Sequence, residues 1–282
     1  MIPEEEGSTK MPPERPVMKK EHISRIGQAA NEALLSFLYP PRCPVCEKLL
    51  PAQSLSLRRL REQGGDRPSA AGRIHPACLA KLRRVGGSYC LKCGKALSGP
   101  DQEYCYDCRH EIRSFEGGRG LWVYDEVSSD LIFAYKYRRK REYAPFIADS
   151  LYDAFGEWIR QIRPQALVPV PISARKRRLR GFNQAALLAD LLSMRTGIPA
   201  KEEALIRLRS TAPQKGLSRQ ARRENLSRAF AADAGALEGI SRVLLIDDIY
   251  TTGSTAQFCT QKLLQAGVRH VWILTACIGA PF

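Results

Sequence analysis

The sequence contains no apolar run approaching the ~20 residues a membrane helix needs. Apolar residues nevertheless make up 44 % of its 282 positions, a normal share for a globular core. The first residues, MIPEEEGSTKMPPERP, are polar and proline-rich and lack the apolar centre of a secretory signal. A cytoplasmic chain without membrane insertion is expected, with a disordered tail over residues 1–17. The GxxxxGK pattern of an ATP-binding P-loop is absent, which argues against that class. Acids are also scarce: 29 Asp and Glu face 44 Lys and Arg, a formal charge of +15. The imbalance is steepest between Ile172 and Arg228, with fourteen basic residues and four acids. Such a surface suits anionic partners, phosphorylated metabolites or nucleic acid, and is equally compatible with a solvated basic face.

Cysteine is plentiful. Seven of nine lie between Cys43 and Cys108; Cys259 and Cys277 sit in apolar surroundings and read as buried small hydrophobes. Clustered cysteines without an export signal point to metal before disulfides. Four hooks are visible: Cys43-Pro-Val-Cys46, His75-Pro-Ala-Cys78, Cys90-Leu-Lys-Cys93 and Cys105-Tyr-Asp-Cys108. The last three begin 15 residues apart, and removing about 17 residues from the stretch 51–72 gives the first the same step. Four equivalent knuckles are expected, with an insertion over 51–72. Each hook brings two side chains to one ion, and two hooks close a tetrahedral shell. Sequential pairing gives two structural Zn2+ sites, Cys43/Cys46/His75/Cys78 and Cys90/Cys93/Cys105/Cys108, with Gly94 in a tight knuckle turn. His75 is either a ligand or an ordinary surface histidine.

Periodicity organises the rest. Residues 22–38 carry one apolar stripe and read as a helix docking on the body, within a segment 18–38, rather than one lying on a membrane. Residues 39–112 form the double zinc ribbon and 113–282 a second domain. Strands are expected at 119–124, 166–171, near 203–208, at 241–247 and at 269–277. Helices are expected at 127–138, 143–163, 254–266 and through QAALLADLLSMRT to Gly197. This alternation predicts an α/β fold with a mainly parallel sheet flanked by helices.

Within it, VLLIDDIYTTGST (243–255) runs from an apolar strand into two acids and then a small-residue turn that opens a helix. Hydroxyls, Gly and free N–H groups at a helix N-terminus suit a phosphate. Adjacent acids cannot favour phosphate, so they face another part of the ligand; they can accept hydrogen bonds from a vicinal diol. Phosphate and diol one sugar apart describe ribose 5-phosphate. The stretch resembles the phosphoribosyl-pyrophosphate (PRPP) motif of type I phosphoribosyltransferases.

Most of the chain, from about residue 34 to 277, resembles the ComF family of competence and phosphoribosyltransferase-like proteins. YPPRCPVC, the hooks, AYKY, VPVP, RRLRGFNQAALLA, TAPQKGLSRQARRENL and VLLIDDIYTTGSTA carry the likeness in that order. The insertion 51–72, the His75 ligand and the N-terminal extension depart from it. The resemblance implies a type I phosphoribosyltransferase fold and PRPP, or another phosphoribosyl ligand, held with Mg2+. Asp247 and Asp248 would hold the ribose diol, and Thr251, Thr252, Gly253, Ser254 and Thr255 the 5-phosphate. Ser173, Ala174, Arg175 and Lys176 would form the pyrophosphate loop, with Arg178 and Arg180 nearby and Arg175 catalytic beside the two acids. Lys136 is either a further pyrophosphate contact or a solvent-facing lysine. Gln214, Arg222 and Asn225 would belong to a hood closing over the substrates. The family is associated with uptake of single-stranded DNA, so three roles follow: a transferase, a single-stranded DNA-binding module working through the knuckles and basic face, and a docking part for a competence helicase.

Overall fold

The computed structural model describes residues 40–51, 70–208 and 229–280. The tail 1–17, the docking helix 22–38, nearly all of the insertion 51–72 and the hood residues Gln214, Arg222 and Asn225 lie outside the described residues. From Arg42 onward the chain is one compact unit.

Two short helical turns serve the cysteine hooks, α1 (Pro76–Leu79) and α2 (Tyr106–His110). Then follow β1 (Gly117–Tyr124), α3 (Glu126–Tyr137), α4 (Ala144–Ile162) and β2 (Ala166–Pro169). Next come α5 (Ala174–Arg180), α6 (Gln184–Thr196), β3 (Leu205–Arg207) and β4 (Phe230–Ala232). The chain closes with β5 (Arg242–Tyr250), α7 (Ser254–Gln265) and β6 (His270–Gly279). The main sheet is wholly parallel, in the order β1-β6-β5-β2, and β3 and β4 form a separate antiparallel pair. This is the α/β architecture that the alternation of apolar runs predicts.

One face of the sheet packs Leu244, Ile246 and Leu274 against α3, α4 and α6; the other packs Val243, Leu245 and Ile273 against α7 and the β3–β4 pair. The two-residue alternation of a strand buried on both faces produces this split. Helix ends follow local chemistry. Asp125 and Ser128 form a reciprocal capping box on α3, and Gly197 ends α6 in the left-handed conformation. Cys259 and Cys277 are fully buried in the two apolar cores.

Three elements differ from the sequence expectation, one of them β4, a three-residue strand where none is expected. Strand β5 runs through both acids to Tyr250, because β6 continues alongside it and pairs Asp247 with Thr275 and Tyr250 with Ile278. On its other flank β2 stops at Pro169, opposite Ile246, so there the acids lie beyond the end of the neighbouring strand. The segment after Pro171 is mostly helix α5 rather than loop: the Ser173 hydroxyl accepts from the Lys176 N–H at its start, and Gly181 ends it at φ 82°.

Candidate functional site

The two metal-ready clusters are built alike. Cys43, Cys46, His75 and Cys78 form one, and Cys90, Cys93, Cys105 and Cys108 the other; within each, the four ligand atoms lie within 4.8 Å of one another. The four hooks are not equivalent knuckles. Only Cys43–Cys46 and Cys90–Cys93 are knuckles, each followed by a left-handed residue, Glu47 (φ 57°) and Gly94 (φ 83°). The other two are helix starts, with His75 and Cys105 as N-caps of α1 and α2, because Pro76 and Tyr106 open a helical turn that returns the fourth residue to the same side. Gly94 is also required by packing: a Cβ there would stand 2.6 Å from the Gly118 carbonyl oxygen of β1.

The donor set suits a tetrahedral ion. All nine cysteines are free thiols. The Cys93 and Cys105 sulfurs are 3.6 Å apart, close to the ~3.8 Å edge of a tetrahedron with ~2.3 Å metal–sulfur bonds. His75 presents Nδ1 to the Cys46 sulfur at 3.4 Å while Nε2 meets the Leu49 carbonyl at 3.1 Å. That second contact fixes Nε2 as the protonated nitrogen and leaves Nδ1 free to ligate. Burial pushes the Cys43 thiol up, but the backbone N–H groups of Cys46, His75 and Val45 outweigh it and bring the pKa down to about 6, favouring the thiolate that a metal binds.

The second site lies at the carboxyl end of β5. Asp248 is buried and pairs with Lys136 of α3 at 2.7 Å. Asp247 is half-buried and accepts the Asp248 backbone N–H at 2.8 Å. Burial, then the charge of Asp248, holds its carboxyl well above the usual carboxylate range, while Lys136 works the other way. Among the described residues Lys136 is the salt-bridge partner of the acids, at Asp248, and the charge of Arg207 also acts on Asp247. Beyond the acids, Thr251 and Thr252 are exposed, and Gly253, at φ 78°, is the N-cap of α7 with no side-chain cap bond. The Ser254 N–H, the first of this twelve-residue helix, meets the Thr252 hydroxyl at 3.5 Å, and Gly253 itself brings no side chain to the turn. The Thr252 and Ser254 hydroxyls are 3.0 Å apart.

Cations gather near the acids. Lys176 is an exposed residue, yet desolvation first and then the charges of Arg207, Arg180 and Lys136 lower its pKa, so these cations crowd one another. Arg175 and Arg178 are exposed on α5. Arg180 is turned inward instead, donating to the Tyr137 hydroxyl and to Gln184 Oε1, each at 2.9 Å. Ser173 is buried as the cap of α5, and Ala174 is exposed at its first turn. Sequence reading missed Arg207 and Arg113. Arg207 comes from the β3–β4 pair; Arg113 donates to the Thr252 carbonyl at 2.8 Å from 139 residues earlier. No local pattern announces either. A cavity of about 530 Å³ lined by Leu237, Ile240, Gly267 and Arg269 sits at the amino ends of β5 and β6, away from the acids.

A parallel α/β sheet with an acid pair and a glycine-led helix start at the carboxyl end of a central strand, joined to two cysteine-rich metal-ready clusters, defines an α/β protein of the open-sheet class. Its relatives are specific. It is 33 % identical over 189 residues to Competence protein F of Haemophilus influenzae, spanning 66 % of this chain and 82 % of that one. It is 30 % identical over 200 residues to Competence protein ComFC of Bacillus subtilis, spanning 68 % and 78 %. It is likewise 30 % identical over 201 residues to DNA utilization protein YhgH of Salmonella typhimurium, spanning 70 % and 87 %. The chain belongs to the ComF family. No family model matches it. Among solved structures, a purine phosphoribosyltransferase from Pyrococcus horikoshii Ot3 is similar at 17 % identity and a TM-score of 0.28, covering 47 % of this chain and 82 % of that one. Among the described residues no helix is long and apolar enough to cross a membrane.

Proposed function

We propose that the chain binds PRPP with Mg2+ and transfers or recognises its phosphoribosyl group, in the cytoplasm, as part of the handling of incoming DNA. One observation carries this reading: two carboxylates and a glycine-led helix start bearing hydroxyls follow each other on one strand–turn–helix unit. The turn from Thr251 to Thr255 offers N–H groups and hydroxyls to the 5-phosphate. Asp247 and Asp248 accept hydrogen bonds from the two ribose hydroxyls. Lys136 holds Asp248 in place. Arg175 and Lys176, with Arg207, offer positive charge to the pyrophosphate, the electrostatic form in which a departing anion is stabilised. Mg2+ would shield pyrophosphate and ribose oxygens. The two cysteine clusters hold structural Zn2+, since four protein ligands leave no open position for chemistry. As an organisation, residues 39–112 are a zinc ribbon that staples a phosphoribosyltransferase-like domain, 113–282.

The test is calorimetry with PRPP and Mg2+. The parent should bind, and a variant carrying both Asp247→Ala and Asp248→Ala should lose binding while keeping its zinc; equal binding by the two rejects the site. Release of pyrophosphate with candidate acceptors then separates transfer from recognition. A second reading, single-stranded DNA binding, is favoured by the exposed pair Phe133 and Tyr137, 5.0 Å apart, beside the exposed basic helix α5. Aromatic faces amid positive charge suit stacked bases. Affinity for an oligonucleotide that falls steeply with salt, and falls further on Phe133→Ala, supports it; salt-insensitive binding opposes it.

A further inference from the structure

Arg113 lies five residues past the last cysteine of the second cluster and is 7 % exposed. Its Nη2 donates to the Thr252 carbonyl at 2.8 Å and pairs at 3.1 Å with Glu111, the C-cap of α2, the helical turn that carries Cys108. One planar, rigid group therefore joins the turn bearing a cluster ligand to the backbone of the turn Thr251–Thr255. Neighbouring contacts point the same way. Lys95, two residues past Cys93, pairs with Asp107, between Cys105 and Cys108, at 2.8 Å. The Lys95 stem and the Thr251 backbone flank the same glycine, Gly279. Ser114 and Gln257 of α7 exchange two hydrogen bonds, at 2.9 and 2.7 Å. Beneath the turn, buried Tyr250 packs edge-on to Phe115 at 6.4 Å, in the same apolar core as Cys90, Cys93 and Cys105. The first cluster is tied elsewhere: Glu47, after its knuckle, pairs with Arg138, the C-cap of α3, and Arg73, before His75, pairs with Asp149 of α4.

We propose that Arg113 is a positioning residue through which the cluster Cys90/Cys93/Cys105/Cys108 sets the shape of the turn Thr251–Thr255, so that anion binding at the turn depends on metal in this cluster and not in the first. The metal holds Cys108 and with it α2 in place, Glu111 at the end of α2 holds the guanidinium, and the guanidinium holds the Thr252 carbonyl. With that carbonyl pinned inward, the N–H groups that follow point outward toward an anion. The consequence for PRPP rests on the function proposed above; the coupling itself does not.

The experiment uses the full chain purified with its metal. Amide hydrogen exchange over residues 252–257 is compared in the parent, Arg113→Gln, Arg113→Lys, Cys108→Ser and Cys43→Ser, alongside PRPP calorimetry and metal content. Exchange at the turn should rise at least tenfold in Arg113→Gln and in Cys108→Ser. The amides of α4 should stay at parent rates in Arg113→Gln, which a general loss of stability would not allow. Cys43→Ser should leave the turn unchanged, and PRPP affinity should fall about tenfold only where exchange rises. Unchanged exchange in Arg113→Gln, or equal opening by Cys43→Ser, overturns the proposal. Should a cysteine variant fail to fold, the two Arg113 variants in the metal-loaded protein decide alone. A parent that does not bind PRPP sinks the phosphate reading, and exchange still decides the coupling.

Discussion

Replacing Gly253 by alanine adds one methyl group and should be costly for two separable reasons. The residue sits at φ 78°, a conformation that costs an alanine roughly 1–2 kcal/mol. The new Cβ would also stand 2.1 Å from the Tyr250 hydroxyl oxygen and 2.5 Å from the ring carbon that carries it. Tyr250 is 4 % exposed and cannot swing out, so the turn itself must give way, at about 1–3 kcal/mol by comparison with overpacked cores. Together these predict a loss of about 2–5 kcal/mol in urea unfolding. Tyr250→Phe separates the two. Its hydroxyl is buried with no hydrogen-bond partner among the described residues, so Tyr250→Phe alone should be neutral or stabilising by about 1 kcal/mol. In the Gly253→Ala background it should restore more than that, because the nearest clash disappears while the φ cost stays. A coupling of at least ~0.5 kcal/mol in the double-mutant cycle is expected. Gly253→Ala within ~0.5 kcal/mol of the parent, or strict additivity, would refute this account of the turn.

Lys136→Met should destabilise the fold by on the order of 3 kcal/mol in urea unfolding, since it leaves Asp248 buried without its partner; Lys136→Arg should recover part of the loss. Asp149→Ala removes the buried carboxylate that pairs with both Arg73 and Arg195, and should cost on the order of 3 kcal/mol while leaving PRPP binding alone. The raised carboxyl of Asp247 gives a signed pH effect. The folded state holds its proton more tightly than the unfolded chain, so this contribution to stability is full below 3.8 and is lost as pH rises through the higher folded value. Affinity for a diol or Mg2+ needs the carboxylate and moves oppositely, strengthening with pH over that window; both slopes should flatten in Asp247→Asn, and slopes that persist there contradict the assignment. Stripping metal with a strong chelator should unfold the cysteine-rich segment, because its short helical turns bury little apolar surface, and circular dichroism should recover on adding Zn2+.

The parts of the fold legible in the sequence share a strong local signal. Strand β5 and helix α7 were readable because an apolar run, two acids and a Gly-containing turn follow in sequence. The four hooks were readable from their spacing, and sequential pairing matches the two clusters, though spacing alone leaves the pairing open. Their backbone shapes were not, since two ligands three residues apart fit a knuckle or a helix start, and only Pro76 hinted at the latter. Helix α5 escaped because ARKRRLR has no apolar period, although Ser173 and Gly181 bracket it. Strand β4 is three residues long, too short for any period to show. The full length of β5 is set by its neighbour β6, and Arg113 and Arg207 join the site through tertiary contacts across the chain. Such contacts leave no mark in a window of sequence. The Lys136–Asp248 pair lies between: AYKY is visible as a motif, but its partner 112 positions later is not.

The most direct measurement is a crystal structure of the chain soaked with PRPP and Mg2+. The account predicts a phosphate seated on the N–H groups at the start of α7, and the ribose hydroxyls on Asp247 and Asp248 with Lys136 still beside them. A ligand bound elsewhere, or an acid pair left untouched while the turn stays empty at saturating PRPP, would contradict it.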